Sequence, residues 1–412
     1  MPSKENNTKT KAAPTSLAEE QNKPDESSFP IVDIGASAGG LAAFEAFFSG
    51  MPNDVEIGIA FVLIQHLSPE HKSILPEIIS RYTSMKVFEV TDGIKVRPNC
   101  VYVIPPKCNM TFMNGLLKLV KPTSLRHHHQ NLPIDRFFYS LAANLQERAI
   151  GIILSGTGND GTLGVRAIKG EGGMVMAQTP KSTEYDGMPL SAIATGLVDY
   201  QLLPAEMPTR LISYIKNSLL IPRLPVESYL SHKVDALNKI FTLLHTHTGH
   251  DFSQYKPTTI KRRIERRMAL QQITDIDKYI IFLEQTPIEV NALFRDMLIG
   301  VTAFFRDPKA FEEIEKRVIP ELFDNRESNS TIRIWSSGCS TGEEAYSIAI
   351  LLAEYQASIN RSFKIQLFAT DIDSNAVNIA RAGLYPASIA ADISQERLSR
   401  FFTEEADTAR AR

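Results

Sequence analysis

Short apolar runs that end in glycine-rich or polar turns organise the first half of the chain. Ile31-Val32-Asp33-Ile34, Ile57 through Ile64 and Ala149 through Leu154 each read as a buried parallel strand. Helical spacing follows the first of them over Leu41 to Phe48, and an amphipathic helix starts within Leu132 to Leu141. Met113-Asn114-Gly115-Leu116 lies between apolar runs and predicts a hairpin turn. From residue 230 to 300 the period becomes helical throughout. Ile260, Ile264 and Met268 recur every four residues there, with Lys261, Arg262, Arg263, Arg266 and Arg267 on the flanks, so the stripe is expected to pack and the cations to face outward. Thr331 to Trp335 and Lys364 to Ala369 then read as strands, with a helix from Ala345 to Glu354 between them.

Composition adds boundaries. Residues 1–28 are rich in Lys, Glu, Asn, Ser and Pro and predict a disordered tail. Ile221-Pro222-Arg223-Leu224-Pro225 punctuates a linker over 217–229. A length of 412 residues with 43% hydrophobic content suits two or three domains, and a net charge of -3 favours no partner class. No apolar stretch of about 18 residues and no signal-peptide layout occur, so a cytoplasmic protein without membrane insertion is expected. Cys100, Cys108 and Cys339 have neither metal-ligand spacing nor a disulfide framework. His127-His128-His129 cannot all point one way, so a surface loop is expected there and no metal site.

The candidate chemistry lies at strand ends. Gly35-Ala36-Ser37-Ala38-Gly39-Gly40 delivers a hydroxyl into a glycine-lined turn before a helix, which suits a nucleophile or a phosphate cradle. The second strand ends in Gln65-His66, where a dinucleotide site would prefer an acid, and His66 could take the Ser37 proton. Asp160, in the loop Ser155-Gly156-Thr157-Gly158-Asn159-Asp160-Gly161, could orient His66 or simply serve as a turn residue.

These motifs, with Gly187-Met188-Pro189 and Gly196-Leu197-Val198-Asp199, make residues 30–210 resemble the catalytic domain of CheB-type chemotaxis protein-glutamate methylesterases. The resemblance implies a doubly wound parallel sheet over 29–216, a catalytic triad of Ser37, His66 and Asp160, and a receptor glutamate γ-methyl ester as substrate, with glutamine amide hydrolysis as an extension. The esterase needs no cofactor on this reading. Ala38 and Thr157 depart from the family's usual Thr and Met. Nothing in 1–28 fits the receiver domain that usually precedes such a domain.

The later strands carry a second signal. Ser336-Ser337-Gly338-Cys339-Ser340-Thr341-Gly342-Glu343-Glu344 opens a helix, and the next strand ends in Thr370-Asp371-Ile372-Asp373, an acid placed for a ribose diol. That pattern fits a nucleoside ligand without separating NAD from S-adenosylmethionine. Together with Tyr255-Lys256, Arg262-Arg263 and Thr302-Ala303-Phe304-Phe305-Arg306-Asp307-Pro308, it resembles CheR-type protein-glutamate methyltransferases over 230–412. The resemblance implies a helical domain over 230–300, a Rossmann-like S-adenosyl-L-methionine domain over 301–412, and cofactor contacts from Thr302, Arg306, Glu344 and Asp371. It also implies that the arginine helix helps hold a methyl-accepting receptor helix. From the residues alone that charge run reads first as a solvated face, ahead of docking to an acidic helix or nucleic acid. Gly300 and Ala345 depart from the family pattern. Further strands are expected after Arg412, so the methyltransferase fold reads as incomplete and the cofactor is expected to bind weakly or not at all. The reading is a methylesterase–methyltransferase fusion in bacterial signalling, the alternative a scaffold that keeps the folds without one or both activities.

Overall fold

The computed structural model describes residues 29–52, 58–66, 74–120, 132–218, 226–300, 302–324, 326–359, 361–386, 389–390, 392–405 and 408–411. The expected disordered tail, His127 to His129 and the proline pair at 222 and 225 lie outside them. In the first half, β1 (Ile31–Ala36), β2 (Ala60–Gln65), β3 (Lys86–Glu89), β4 (Cys100–Val103), β5 (Ala149–Ile153), β6 (Met174–Gln178) and β7 (Tyr200–Leu202) form one parallel sheet. Their order is β7-β6-β5-β1-β2-β4-β3. The chain runs outward from β1 through β2 and then returns to β5 on the other side, which makes the carboxyl edge between them a topological switch point, where open α/β sheets bind ligands.

Every residue of β1 is buried because both faces of the sheet are covered. Val32, Ile34 and Ala36 join the core that holds Phe44, Phe47 and Phe48 of α1 (Gly40–Ser49), and Ile31 joins that of Phe137 and Phe138 of α2 (Pro133–Leu145). Each such phenylalanine contributes about 1.5–3 kcal/mol of burial. The sheet continues into α3 (Thr162–Gly170), α4 (Gly187–Ala194) and α5 (Met207–Ser218). The strand read from Ile57 begins instead at Ala60, after Gly58 takes a positive φ of 68° that breaks the extended run. Asn114 and Gly115 both have positive φ between the antiparallel strands Asn109–Met113 and Leu116–Val120, as the hairpin reading requires.

Four helices follow, α6 (Val226–Thr248), α7 (Pro257–Leu270), α8 (Ile276–Gln285) and α9 (Pro287–Met297), the first starting inside the stretch read as a linker. Ile260, Ile264 and Met268 of α7 pack with Ile240, Tyr279 and Leu293, as their spacing predicts. The cations on its flanks do not all face out. Lys261, Arg263 and Arg266 are buried, because α7 lies against the first half rather than against solvent. Arg263 donates to the carbonyls of Lys169 and Gly170 at 3.1 Å each, and Arg266 donates from Nε to that of Gly173 at 3.1 Å. The Arg266 guanidinium also pairs with Asp199 and Asp296, and Lys169 pairs with Asp199 at 2.7 Å. Burial and the neighbouring Arg266 lower Lys169 to about 8 against the pull of Asp199. Asp199, which burial alone would raise, is held at about 2 by Arg266 and Lys169. The solvated-face reading of α7 is therefore corrected at these positions, as is that of Arg263 and Arg266 as residues free to hold a receptor helix.

The last segment pairs β8 (Thr331–Ser337) with β9 (Lys364–Thr370) in parallel around α10 (Glu343–Ser358). Leu351, Leu352, Phe323 and Phe363 fill its core, whereas Trp335 and Phe368 stand 70% and 54% exposed on the sheet. Among the described residues no helix is long and apolar enough to cross a membrane.

Candidate functional site

Ser37 leaves the end of β1 at the switch point. Its amide donates to the Ser155 carbonyl at 2.9 Å, and Gly39 turns the chain into α1 with φ 72°. A Cβ at Gly39 would meet Ser155 Oγ at 2.7 Å, so both conformation and space demand glycine. Gly40 N donates back to the Ser37 carbonyl at 3.0 Å, while the amides of Ala38 and Gly39 have no hydrogen-bond partner among the described residues. Ser37, Ala38, Gly39, Gln65, His66 and Glu184 line one open cleft. The Ser37 hydroxyl makes no hydrogen bond to a described residue, His66 included.

His66 ends the neighbouring strand with its side chain 35% exposed, and its Nε2 lies 2.8 Å from Asp160 Oδ2. With the proton on Nε2, that bond leaves the Nδ1 lone pair available. Asp160 is buried after β5 and receives two amides from the start of α2: Ile134 N on Oδ2 at 3.1 Å and Asp135 N on Oδ1 at 2.9 Å. A helix N-terminus is a natural seat for a carboxylate. Two further acids surround it. Burial, then the nearby Asp160, push Asp33 well above the usual carboxylate range, and neither of its oxygens has a partner among the described residues. Asp135 is pushed up by the same causes, with Gly164 N donating to its Oδ1 at 2.6 Å. Both are held towards the neutral form, which keeps competing charge away from the acid that touches His66.

The turn is braced by residues whose part was not read from the sequence. Ser155 Oγ donates to the Ala38 carbonyl at 2.9 Å and accepts from Tyr185 N at 3.1 Å, and its own amide donates to Gln178 at 2.9 Å. Ser155 stood in the Ser155–Gly161 motif, but its link to Ala38 joins residues 117 apart, beyond what spacing reveals.

In the second half, Thr302, Arg306, Glu344 and Asp371 all line one cavity of about 620 Å³, so the structure gathers the four residues that the family resemblance singled out. Gly338 and Gly342, with φ of 72° and 99°, shape the turn between β8 and α10. Asp371 Oδ2 accepts from Ser340 N at 2.7 Å and its Oδ1 from Asp373 N at 2.9 Å, which orients the carboxylate. Glu344 accepts from Ser336 Oγ at 2.9 Å. Carboxylates for a diol or ammonium, guanidiniums for a carboxylate and a volume in the range of small-molecule sites fit a nucleoside that carries an amino acid.

Comparison with known proteins agrees with this division. The CheB methylesterase family matches residues 32–211, the all-alpha domain of CheR methyltransferases residues 235–298, and the CheR SAM binding domain residues 300–411. A Rhodobacter capsulatus protein, described only as an uncharacterised 104.1 kDa protein, is 37% identical over 80% of this chain and 36% of its own length. A chemotaxis protein methyltransferase of Borreliella burgdorferi is 34% identical over 37% of this chain and 55% of its own. A protein-glutamate methylesterase/protein-glutamine glutaminase of Myxococcus xanthus is 34% identical over 41% and 49%. The chain thus spans between about a third and a little over half of these relatives. The crystal structure of the Thermotoga maritima CheB methylesterase catalytic domain aligns at 29% identity over 45% of this chain and 98% of that one, with a TM-score of 0.41. Residues 32–211 accordingly belong to the CheB methylesterase family and residues 235–411 to the CheR methyltransferase family, the two joined in one chain.

Proposed function

We propose that the first half hydrolyses glutamate γ-methyl esters on chemotaxis-type receptors through Ser37, His66 and Asp160, and that the second half methylates receptor glutamates with S-adenosyl-L-methionine as donor, in the cytoplasm. The observation that carries the first part is the 2.8 Å bond between His66 and the buried Asp160, on the rim where Ser37 enters the same cleft. Ser37 Oγ attacks the ester carbonyl while the free ring nitrogen of His66 takes its proton. Asp160 stabilises the imidazolium and fixes the tautomer. The amides of Ala38 and Gly39, at the start of α1 and without a partner among the described residues, receive the oxyanion. The imidazolium returns its proton to the departing methoxide, releasing methanol. Water, activated by the same ring, then frees the glutamate carboxylate from Ser37.

In the other half Thr302, Arg306, Glu344 and Asp371 would hold the donor, with Asp371 on the ribose diol. When bound, the donor supplies an electrophilic methyl group. A glutamate carboxylate is already a nucleophile, so the protein's part is to align the two, and no base is required.

Methanol release from a methylated receptor tests the first part. The intact chain should release it, and Ser37→Ala should lower the rate by about 10⁴-fold or more. Equal release by the variant would end the assignment to Ser37, and no release by the intact chain would favour a scaffold. Calorimetry with S-adenosylhomocysteine tests the second: weak binding that Asp371→Ala abolishes is expected.

A further inference from the structure

The methyltransferase cavity is not walled by its own half alone. Arg166 of α3 and Thr195 to Leu197, just after α4, line it together with Ser340, Thr341 and Asp371. Arg166 donates from one terminal nitrogen to Thr341 Oγ1 at 3.4 Å, and its Nε is shielded from solvent without a partner among the described residues. Thr341 in turn donates to the buried Glu343 at 2.6 Å.

The placement of Arg166 follows from the helix that carries it. Lys169 and Gly170 lie three and four positions on, hence on the same face of α3, and that face meets α7 and α9. Arg263 donates to both of their carbonyls, and the Lys169 ammonium reaches Asp199 at 2.7 Å and Asp296 at 3.8 Å. One turn of α3 is thereby clamped to the helical domain while the preceding turn points Arg166 into the cavity. Acids and guanidiniums share that lining: Asp307, Glu344, Asp371 and Asp373 with Arg166, Arg295 and Arg306. A ligand with both a diol and a carboxylate matches it.

We propose that the esterase domain completes the methyl-donor site, with Arg166 recognising the donor's α-carboxylate from across the domain interface. This rests on the reading that the cavity takes S-adenosyl-L-methionine. The carboxylate is the donor's rather than that of an acceptor glutamate, because a receptor helix must approach from open solvent, whereas the Arg166 head lies half-buried between the domains.

Calorimetric titration of the whole chain tests it with two probes: S-adenosylhomocysteine, which keeps the amino-acid carboxylate, and 5′-methylthioadenosine, which lacks it. Arg166→Ala should weaken the first by about tenfold or more, the scale of a lost charge-assisted hydrogen bond, and change the second less than about twofold. Arg166→Lys should recover part of the loss. Undiminished binding of S-adenosylhomocysteine to Arg166→Ala, where wild type binds it, overturns the inference and leaves the donor reading standing. Equal weakening of both probes overturns it in favour of a collapsed cavity. If neither probe binds wild type, the donor reading and the inference fall together.

Discussion

At the scale of single residues, the proposed esterase site depends on side chains that are absent as much as on those present. A Cβ at Gly156 would lie 2.2 Å from Met188 Sδ and 2.9 Å from Ser37 Cβ. The methionine can yield, being flexible, but Ser37 is fixed by its strand. Gly156→Ala should therefore cost activity out of proportion to stability: kcat/KM for methanol release should fall at least tenfold, with the unfolding free energy from urea titration lowered by about 1–3 kcal/mol, the usual range for overpacking. Asp33 offers a pH test. Its proton is retained in the fold well above the ordinary value of 3.8, so the folded state binds more protons than the unfolded one over that window. Stability then falls as pH rises above about 4, until the folded-state value is passed. Asp33→Asn, which mimics the neutral acid, should reduce that slope and leave the part that Asp135 contributes. Urea unfolding at pH 5 and pH 8 reads it, and a variant with the wild-type slope would assign the slope to other groups.

At the scale of elements, α7 carries the main lesson about what a sequence discloses. The placement of Ser37, His66 and Asp160 was legible because each follows a strand, and parallel strands bring their carboxyl ends to one rim whatever the rest of the chain does. The apolar stripe of α7 was legible too, since it depends on local period. The burial of Arg263 and Arg266 was not. Their partners, Gly170, Gly173 and Asp199, lie 67 to 93 residues away in another domain, and two of the acceptors are backbone carbonyls that no side-chain pattern marks. Ser155 escaped for the same reason. The clamp has an energetic signature. Removing one partner from a buried ion pair typically costs about 3–5 kcal/mol, because it strands the opposing charges. Arg266→Ala should lose that much in chemical denaturation, whereas Arg266→Met combined with Asp296→Leu, which leaves Asp199 to Lys169, should recover most of it. Full stability in the single variant would make the clamp incidental.

At the scale of the molecule, the two proposed chemistries share one scaffold, and the clamp at α7 sets how far the halves feel each other. The chain has a single tryptophan, Trp335, on β8 of the second half, so its fluorescence follows that half, while methanol release follows the Ser37 cleft of the first. A ligand that binds only the folded form adds about 2.7 kcal/mol at a hundred times its Kd. If α7 and Arg166 hold the halves together, S-adenosylhomocysteine bound in the second half should raise the urea midpoint of both signals by the same amount. In Arg266→Ala the halves are joined by fewer contacts, and the ligand should raise the Trp335 midpoint alone. Separate midpoints in the wild-type chain would mean that the buried arginines position the domains without coupling their unfolding. A common shift that survives Arg266→Ala would move the coupling to other α7 contacts with the first half, among them Arg263 on Lys169 and Gly170, and Tyr200 on the Leu270 carbonyl at 2.6 Å.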